Sequence, residues 1–121
     1  MPTVCELAGV TETHSSDGIS YAPTLLGRPP QKRHDHLYFE FHEGDGAQAV
    51  IKGKWKALVR GVKTDHSQPL ELYDLESDPS EQMNVAKENA AVAKEMQNLI
   101  DKSHKPSALF KLPSDKVLHK Q

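Results

Sequence analysis

The fold predicted for this chain is α+β: an antiparallel sheet of about four strands, covered on one face by a carboxy-terminal helix. Three observations predict it. Apolar and polar residues alternate along Leu37-Tyr38-Phe39-Glu40-Phe41-His42-Glu43 and again along Leu70-Glu71-Leu72-Tyr73, the period of two that a strand imposes on its side chains. Gly44-Asp45-Gly46 and Gly53 are placed to reverse the chain between short apolar runs, which makes successive strands antiparallel. Val92, Met96, Leu99, Ile100 and Ser103 then recur at helical spacing, with Lys94, Glu95, Asn98 and Asp101 on the other face.

Taken in order, Met1 to Ala8 reads as a short helix, because Pro2 suits a first turn, Val4, Leu7 and Ala8 share a face, and Gly9 is a natural stop. No residue precedes Met1 to cap it, as expected if the coding start falls inside a structural element. Residues 11–17 are polar loop, Asp17-Gly18 is a turn pair, and Pro23 opens a single helical turn that Gly27 ends. Arg28-Pro29-Pro30-Gln31-Lys32-Arg33 reads as a solvated basic connector rather than a phosphate contact. Strands follow at residues 37–43, 47–52, 54–60 and 70–75. Leu37, Phe39 and Phe41 form the apolar side of the first and are expected under the helix with Trp55, leaving Tyr38, Glu40 and His42 to solvent. Asp78-Pro79-Ser80-Glu81 has the capping-box pattern of a helical turn, and Asn89 stands where the long helix needs a cap. The expected organisation is a lead-in segment over residues 1–36, a sheet-plus-helix subdomain over 37–105, and a mobile tail over 106–121.

A chain of 121 residues suffices for one domain that buries roughly two-thirds of its unfolded surface. Apolar residues make up 36% and mean hydropathy is -0.64, both low for a self-sufficient globule. With 15 basic against 17 acidic residues there is no field to favour nucleic acid or an anionic membrane. The single cysteine, Cys5, excludes an intrachain disulfide. No apolar run approaches the roughly 20 residues that span a bilayer, and the amino terminus lacks a basic start and an apolar segment, so the chain as it stands is expected to remain cytoplasmic.

Seven histidines prompt a search for a metal site. His34 and His36 would point to one side of an extended segment and His42 could join them, but no carboxylate or cysteine follows at a matching spacing, and exposed polar-face histidines account for them. His66, His104 and His119 fall in a loop, at a helix end and in a tail. Cys5, within Glu6-Leu7-Ala8, reads as a buried helix cysteine rather than a nucleophile. Glu40, His42 and Glu43 have the side chains of acid–base chemistry, yet a strand end before a Gly-Asp-Gly turn explains them equally well. Phosphate-cradling loops, Ser-His-Asp signatures and zinc motifs are absent from the sequence.

Met1-Pro2-Thr3-Val4-Cys5-Glu6-Leu7-Ala8-Gly9-Val10, Asp17-Gly18-Ile19-Ser20 with Pro23-Thr24-Leu25-Leu26-Gly27, Gly53-Lys54-Trp55-Lys56, and Glu71-Leu72-Tyr73-Asp74-Leu75 with Asp78-Pro79-Ser80-Glu81-Gln82 follow one another in an order and spacing that resemble the carboxy-terminal part of the sulfatase family, arylsulfatase type. The resemblance covers most of residues 1 to 105. It implies the small antiparallel-sheet subdomain of a larger alkaline-phosphatase-like sulfuric ester hydrolase. The family makes its formylglycine nucleophile from the first residue of Cys-x-Pro-x-Arg or Ser-x-Pro-x-Arg, whereas Cys5 is followed by Glu6-Leu7-Ala8-Gly9. Its calcium ligands lie ahead of the matching region. The resemblance therefore implies a chain with no catalytic residue, calcium site or formylglycine of its own, all of which would belong to a catalytic domain.

Two functions are compatible with that pattern. One is an inactive carboxy-terminal subdomain that works against a sulfatase catalytic domain, meeting a sulfated carbohydrate or aryl sulfate only in the complete enzyme, and complete family members are often exported. The other is a stand-alone interaction module, self-associating or docking through an apolar face around Met1, Val4, Leu7, Ile19, Leu25 and Leu26. An unrelated α+β binding domain is the third possibility, testable by asking whether DNA upstream of Met1 encodes the nucleophile motif. His42 and Glu43, at the strand end before the flexible Gly44-Asp45-Gly46, are the expected substrate-rim residues of an assembled enzyme.

Overall fold

A computed structural model describes residues 1–10, 16–64 and 67–115. His66 and His119 lie outside the described residues. The chain divides into two units, Met1–Asp35 and His36–Gln121.

In the first unit, α1 (Pro2–Leu7) starts on Pro2, whose missing N–H costs nothing in a first turn, and ends where Gly9 takes a φ of 69° and the Val10 N–H donates to the Cys5 carbonyl. Cys5 is half-buried, not buried, because α1 buries none of its residues. The single turn α2 (Ala22–Leu25) carries Pro23 and is followed by Gly27 at φ 63°. Side chains hold the unit: Thr3 Oγ1 accepts from the Tyr21 N–H at 3.0 Å, and Gln31 Oε1 accepts from Thr24 Oγ1 at 2.7 Å while its Nε2 donates to the Ser20 carbonyl at 2.8 Å.

The second unit is a meander of β1 (Leu37–Phe41), β2 (Ala47–Lys52), β3 (Trp55–Arg60) and β4 (Glu71–Asp74), hydrogen-bonded in that order and antiparallel throughout. The helix α3 (Ala90–Ser103) packs on β2 and β3. Its stripe is the expected one, with Met96 and Ile100 buried and Val92 and Leu99 beside them. Across the sheet Val50, Ala57, Val59 and Leu72 complete the core, with Trp55 and Leu70 at its margin. Each fully buried large side chain contributes about 1.5–3 kcal/mol.

The first strand presents the opposite face from the one expected. Leu37, Phe39 and Phe41 are 41%, 52% and 59% exposed, and Tyr38 packs against the core. Register is the cause. Tyr38 is paired with Val50, Val50 with Ala57 and Ala57 with Leu72, so these four form one row on the helix side, and the odd-numbered residues of β1 must point away.

Asp78-Pro79-Ser80-Glu81 does not open a helix. It is a turn in which Asp78 Oδ2 accepts from the N–H groups of Gln82 and Met83, both at 2.8 Å, and Glu81 adopts a left-handed φ of 55°. Asn89 occupies the N-cap position of α3, but its side chain donates back to the Val85 carbonyl instead of capping. Past α3, Leu112 and Asp115 are buried while Leu109 and Phe110 are exposed, and residues 116–121 of the expected tail lie outside the described residues. Among the described residues no helix is long and apolar enough to cross a membrane.

Candidate functional site

The inward face of β1 collects polar groups that the register brings under the end of α3. Glu40 is the centre. Its Oε2 accepts from the Tyr38 hydroxyl and faces His104 Nδ1 at 2.7 Å, with Gln48 Nε2 at 3.4 Å, while its Oε1 lies 2.7 Å from His42 Nε2. His104 Nε2 faces Asp115 Oδ1 at 2.6 Å, and the Gln48 amide also donates to the Tyr38 hydroxyl at 2.8 Å. Among the described residues, every buried side-chain nitrogen or oxygen has a partner, as an interior of low polarisability requires.

These contacts set the charges. Burial by itself would raise the Glu40 carboxyl, but hydrogen bonds from Tyr38, His104 and Gln48 outweigh it and hold Glu40 below the usual carboxylate range. Burial would likewise lower His104, yet the Asp115 and Glu40 carboxylates outweigh it and hold the imidazole above its ordinary value. Burial first, and then the bond to Glu40, push the Tyr38 phenol well upward. Both shifts favour the charged pair, an imidazolium between the Glu40 and Asp115 carboxylates.

On the other face, Phe41, Ala47 and Arg60 form one row across β1, β2 and β3. With Glu43, Asp45, Gly46 and Gln68 they line an open cavity of about 600 Å³. The β1–β2 turn that shapes it is pinned from behind: the Gly61 N–H donates to the Gly46 carbonyl at 2.9 Å, the Lys63 N–H to the Asp45 carbonyl at 2.9 Å, and Lys63 Nζ to the His42 carbonyl at 2.9 Å. Gly46 has a φ of 75°, and a Cβ there would stand 2.8 Å from Lys63 Cγ. An exposed aromatic ring, a guanidinium, an amide and two carboxylates around one concavity are the groups that grip a hydroxyl-rich ring: the aromatic lies against its apolar face, and the polar groups meet its hydroxyls.

The two rim residues expected from sequence therefore part company. Glu43 lines this cavity. His42 turns to the opposite face, where it contacts Glu40 and stacks on Phe110 with ring centroids 4.8 Å apart. His36 Nε2 is 2.8 Å from Ser103 Oγ, so of the histidines considered as metal ligands His36 and His42 have separate partners. Among the described residues no group of three or more His, Cys, Asp or Glu side chains could hold a metal ion. Sequence reasoning missed Phe41 and Arg60 as cavity residues, since Phe41 was expected in the core. It also missed His104, whose carboxylate partners are 64 and 11 residues away.

Comparison with known proteins places this geometry in context. The family described as N-sulphoglucosamine sulphohydrolase, C-terminal, matches residues 1–106. The chain is 36% identical over 93 residues to a delta 4,5-hexuronate-2-O-sulfatase of Bacteroides thetaiotaomicron, a match covering 73% of this chain and 18% of that protein. It is 28% identical over 100 residues to an N-acetylgalactosamine-6-O-sulfatase of the same organism, covering 74% and 19%. Among solved structures, a 2-O GAG sulfatase superposes with a TM-score of 0.69 at 30% identity, over 84% of this chain and 23% of that one. The match thus spans about a fifth of the length of these relatives, and the sheet with its carboxy-terminal helix has the alkaline-phosphatase-like sulfatase architecture.

Proposed function

This chain belongs to the sulfatase family, in its N-sulphoglucosamine sulphohydrolase C-terminal branch, and from that premise we propose that it is the carboxy-terminal subdomain of a sulfatase, with no hydrolytic activity by itself. The observation that carries the reading is the family match over residues 1–106, set against relatives about five times longer. Hydrolysis of a sulfate ester needs a nucleophile, a cation to neutralise the sulfate oxygens and a proton for the leaving group. The two Ser-x-Pro segments of this sequence, starting at Ser67 and Ser77, end in Glu71 and Glu81 where the family's nucleophile motif ends in arginine. Calcium and formylglycine belong, in this reading, to the catalytic domain.

The contribution of this subdomain is to the substrate's rim. Glu43, together with Phe41 and Arg60, faces the cavity that would receive a sulfated carbohydrate in a complete enzyme. His42 supports that rim from behind, holding the strand end through Glu40 and Phe110. Purified chain supplied with an aryl sulfate and calcium is expected to give no turnover. Turnover that follows the protein through purification and disappears on mutation of its residues would overturn the reading.

A second reading, an interaction module, is favoured by the apolar surface. Leu37, Phe39 and Phe41 stand on the uncovered face of β1, and in the other unit Met1, Val4, Leu7, Leu25 and Leu26 are also exposed, with Ile19 half-buried. Within either unit, exposed apolar side chains favour association where they adjoin one another. A sulfatase catalytic domain is the partner that the family match supports, and self-association is the alternative. Light scattering over a concentration series distinguishes them, because only self-association raises the mass of the isolated chain.

A further inference from the structure

Residues 28–33, expected as a solvated connector, are largely exposed, yet their backbone is tied down. The Arg28 N–H donates to the Pro23 carbonyl at 2.7 Å, and the half-buried Gln31 holds the far end. Gln31 Oε1 accepts from Thr24 Oγ1 at 2.7 Å, while its Nε2 donates to the Ser20 carbonyl and to the Lys32 carbonyl, both at 2.8 Å. Between these ties Pro29 and Pro30 have φ fixed by their rings. The backbone is thus set against the α2 turn, and the charged side chains stay exposed.

Those charges are of one sign. Arg28, Lys32 and Arg33 are the three basic residues among positions 1–35 and fall within six positions, whereas the four acidic residues lie at 6, 12, 17 and 35. Among the described residues none of the three basic side chains makes an ion pair or a hydrogen bond. The sheet unit is different, for its Lys52, Lys54, Lys56 and Arg60 each face a carboxylate.

We propose that Arg28, Lys32 and Arg33 form a contact site for the sulfate groups of a glycan chain. This rests on the reading of the chain as part of an enzyme for sulfated carbohydrate, and it adds a contact in the first unit to the rim in the second. An extended backbone advances at most about 3.6 Å per residue, so Arg28 and Arg33 stand no more than about 18 Å apart. Sulfates repeated along a polymer meet such a row. Each guanidinium offers a fork of N–H donors to an oxyanion, and the lysine between them adds a point charge. Nucleic acid fits less well, because Tyr21 is the one Phe, Tyr or Trp of residues 1–35 and stacked bases need a row of rings. Three cations also fall short of the about four to eight that hold a segment on an anionic bilayer. With a formal net charge of -2 the chain lends no long-range attraction, so the contact is local and sensitive to salt.

Backbone amide NMR shifts of the full chain test this, with a heparin octasaccharide and the same octasaccharide stripped of sulfate as probes. The sulfated probe is expected to shift the amides of Arg28 and residues 31–34, and the stripped one to leave them in place. An Arg28→Gln, Lys32→Gln, Arg33→Gln triple variant should bind the sulfated probe about tenfold more weakly, the loss of three exposed charge contacts, and its affinity should depend less on salt. Undisturbed Tyr21 and Thr24 amides check its fold; should that fail, Arg33→Gln alone carries the comparison with a loss of about twofold. Equal affinity of wild type and variant, equal response to the two probes, or tighter binding to a DNA duplex or to phosphatidylserine vesicles would each overturn the proposal. Shifts confined to Phe41, Glu43 and Arg60 would overturn it and leave the rim standing, whereas shifts confined to Arg28 and residues 31–34 would support it and count against the rim.

Discussion

Lys56 of β3 reaches the turn after β4 and places its Nζ 2.6 and 2.7 Å from the two carboxylate oxygens of Glu81. Glu81 is, among the described residues, the non-glycine residue with left-handed backbone. An L-residue there costs about 1–2 kcal/mol, and a half-exposed ion pair returns up to about 1 kcal/mol. Glu81→Gly should therefore leave stability within about 1 kcal/mol of the wild type. Asp78→Ala should lose about 1–2 kcal/mol, because it strips the acceptor from two N–H groups. Urea midpoints compare them, and a larger loss for Glu81→Gly than for Asp78→Ala would contradict this account of the turn.

The orientation of β1 predicts an asymmetry between two apolar residues. Ile100→Ala, in the core, should lower stability by about 2–5 kcal/mol. Phe39→Ser, on the open face, should change it by less than about 1 kcal/mol and weaken any concentration-dependent light scattering. Equal losses from the two would place Phe39 in a core after all.

Global stability should carry the signs of the histidine–carboxylate network. The His104 contribution is complete below the ordinary histidine range and disappears as pH rises through the raised value, so the gap between wild type and Asp115→Asn should be widest below the ordinary histidine range and narrow as pH rises through the raised one. The Glu40 contribution is present above the ordinary carboxylate range and fades as pH falls through the lowered value, so Glu40→Gln should lose its disadvantage only in acid. Urea unfolding across pH measures both limbs.

Gly46→Ala should cost about 1–2 kcal/mol through its left-handed backbone, plus whatever displacement of Lys63 the new Cβ demands. Measured against Lys63→Ala alone, which removes the bond to the His42 carbonyl from both sides of the comparison, Gly46→Ala should keep the first part and any crowding of Val62 Cγ2, 3.1 Å from the new Cβ. A double mutant as stable as Lys63→Ala would show that the backbone conformation carries no penalty.

For the rim, the subdomain is placed in a complete family enzyme. Glu43→Gln and Arg60→Ala are expected to raise KM on a sulfated carbohydrate by roughly tenfold, the effect of one lost polar contact, with small aryl sulfates unaffected. His42→Ala should do the same more weakly, since it acts through the strand end. Unchanged kinetics on both substrates would remove all three from the substrate's path.

Local chemistry was sufficient for much of the fold. Glycines at 44, 46 and 53 reverse the chain between runs too short for helices, so a meander of antiparallel strands follows from turn geometry. The stripe from Val92 to Ser103 needs a sheet to lie on, and Val50, Ala57 and Leu72 supply it. The family pattern was also legible, because it consists of short motifs in a fixed order, and it matches over residues 1–106.

The face of β1 could not be read from β1. Alternation divides Leu37 to His42 into two sets without saying which lies inward, and the more apolar set was the wrong guide. Pairing with β2 settled it: Tyr38 stands opposite Val50, in the row that the helix covers. That choice then created the polar network, for Glu40 is half-buried where His104 and Gln48 arrive from distant parts of the chain, beside Tyr38 and His42 of its own strand, to meet its charge. A carboxylate and an imidazole 64 residues apart carry no mutual signal in sequence. Tertiary structure brought them to 2.7 Å, and at that distance the cost of burying each charge is offset by the other.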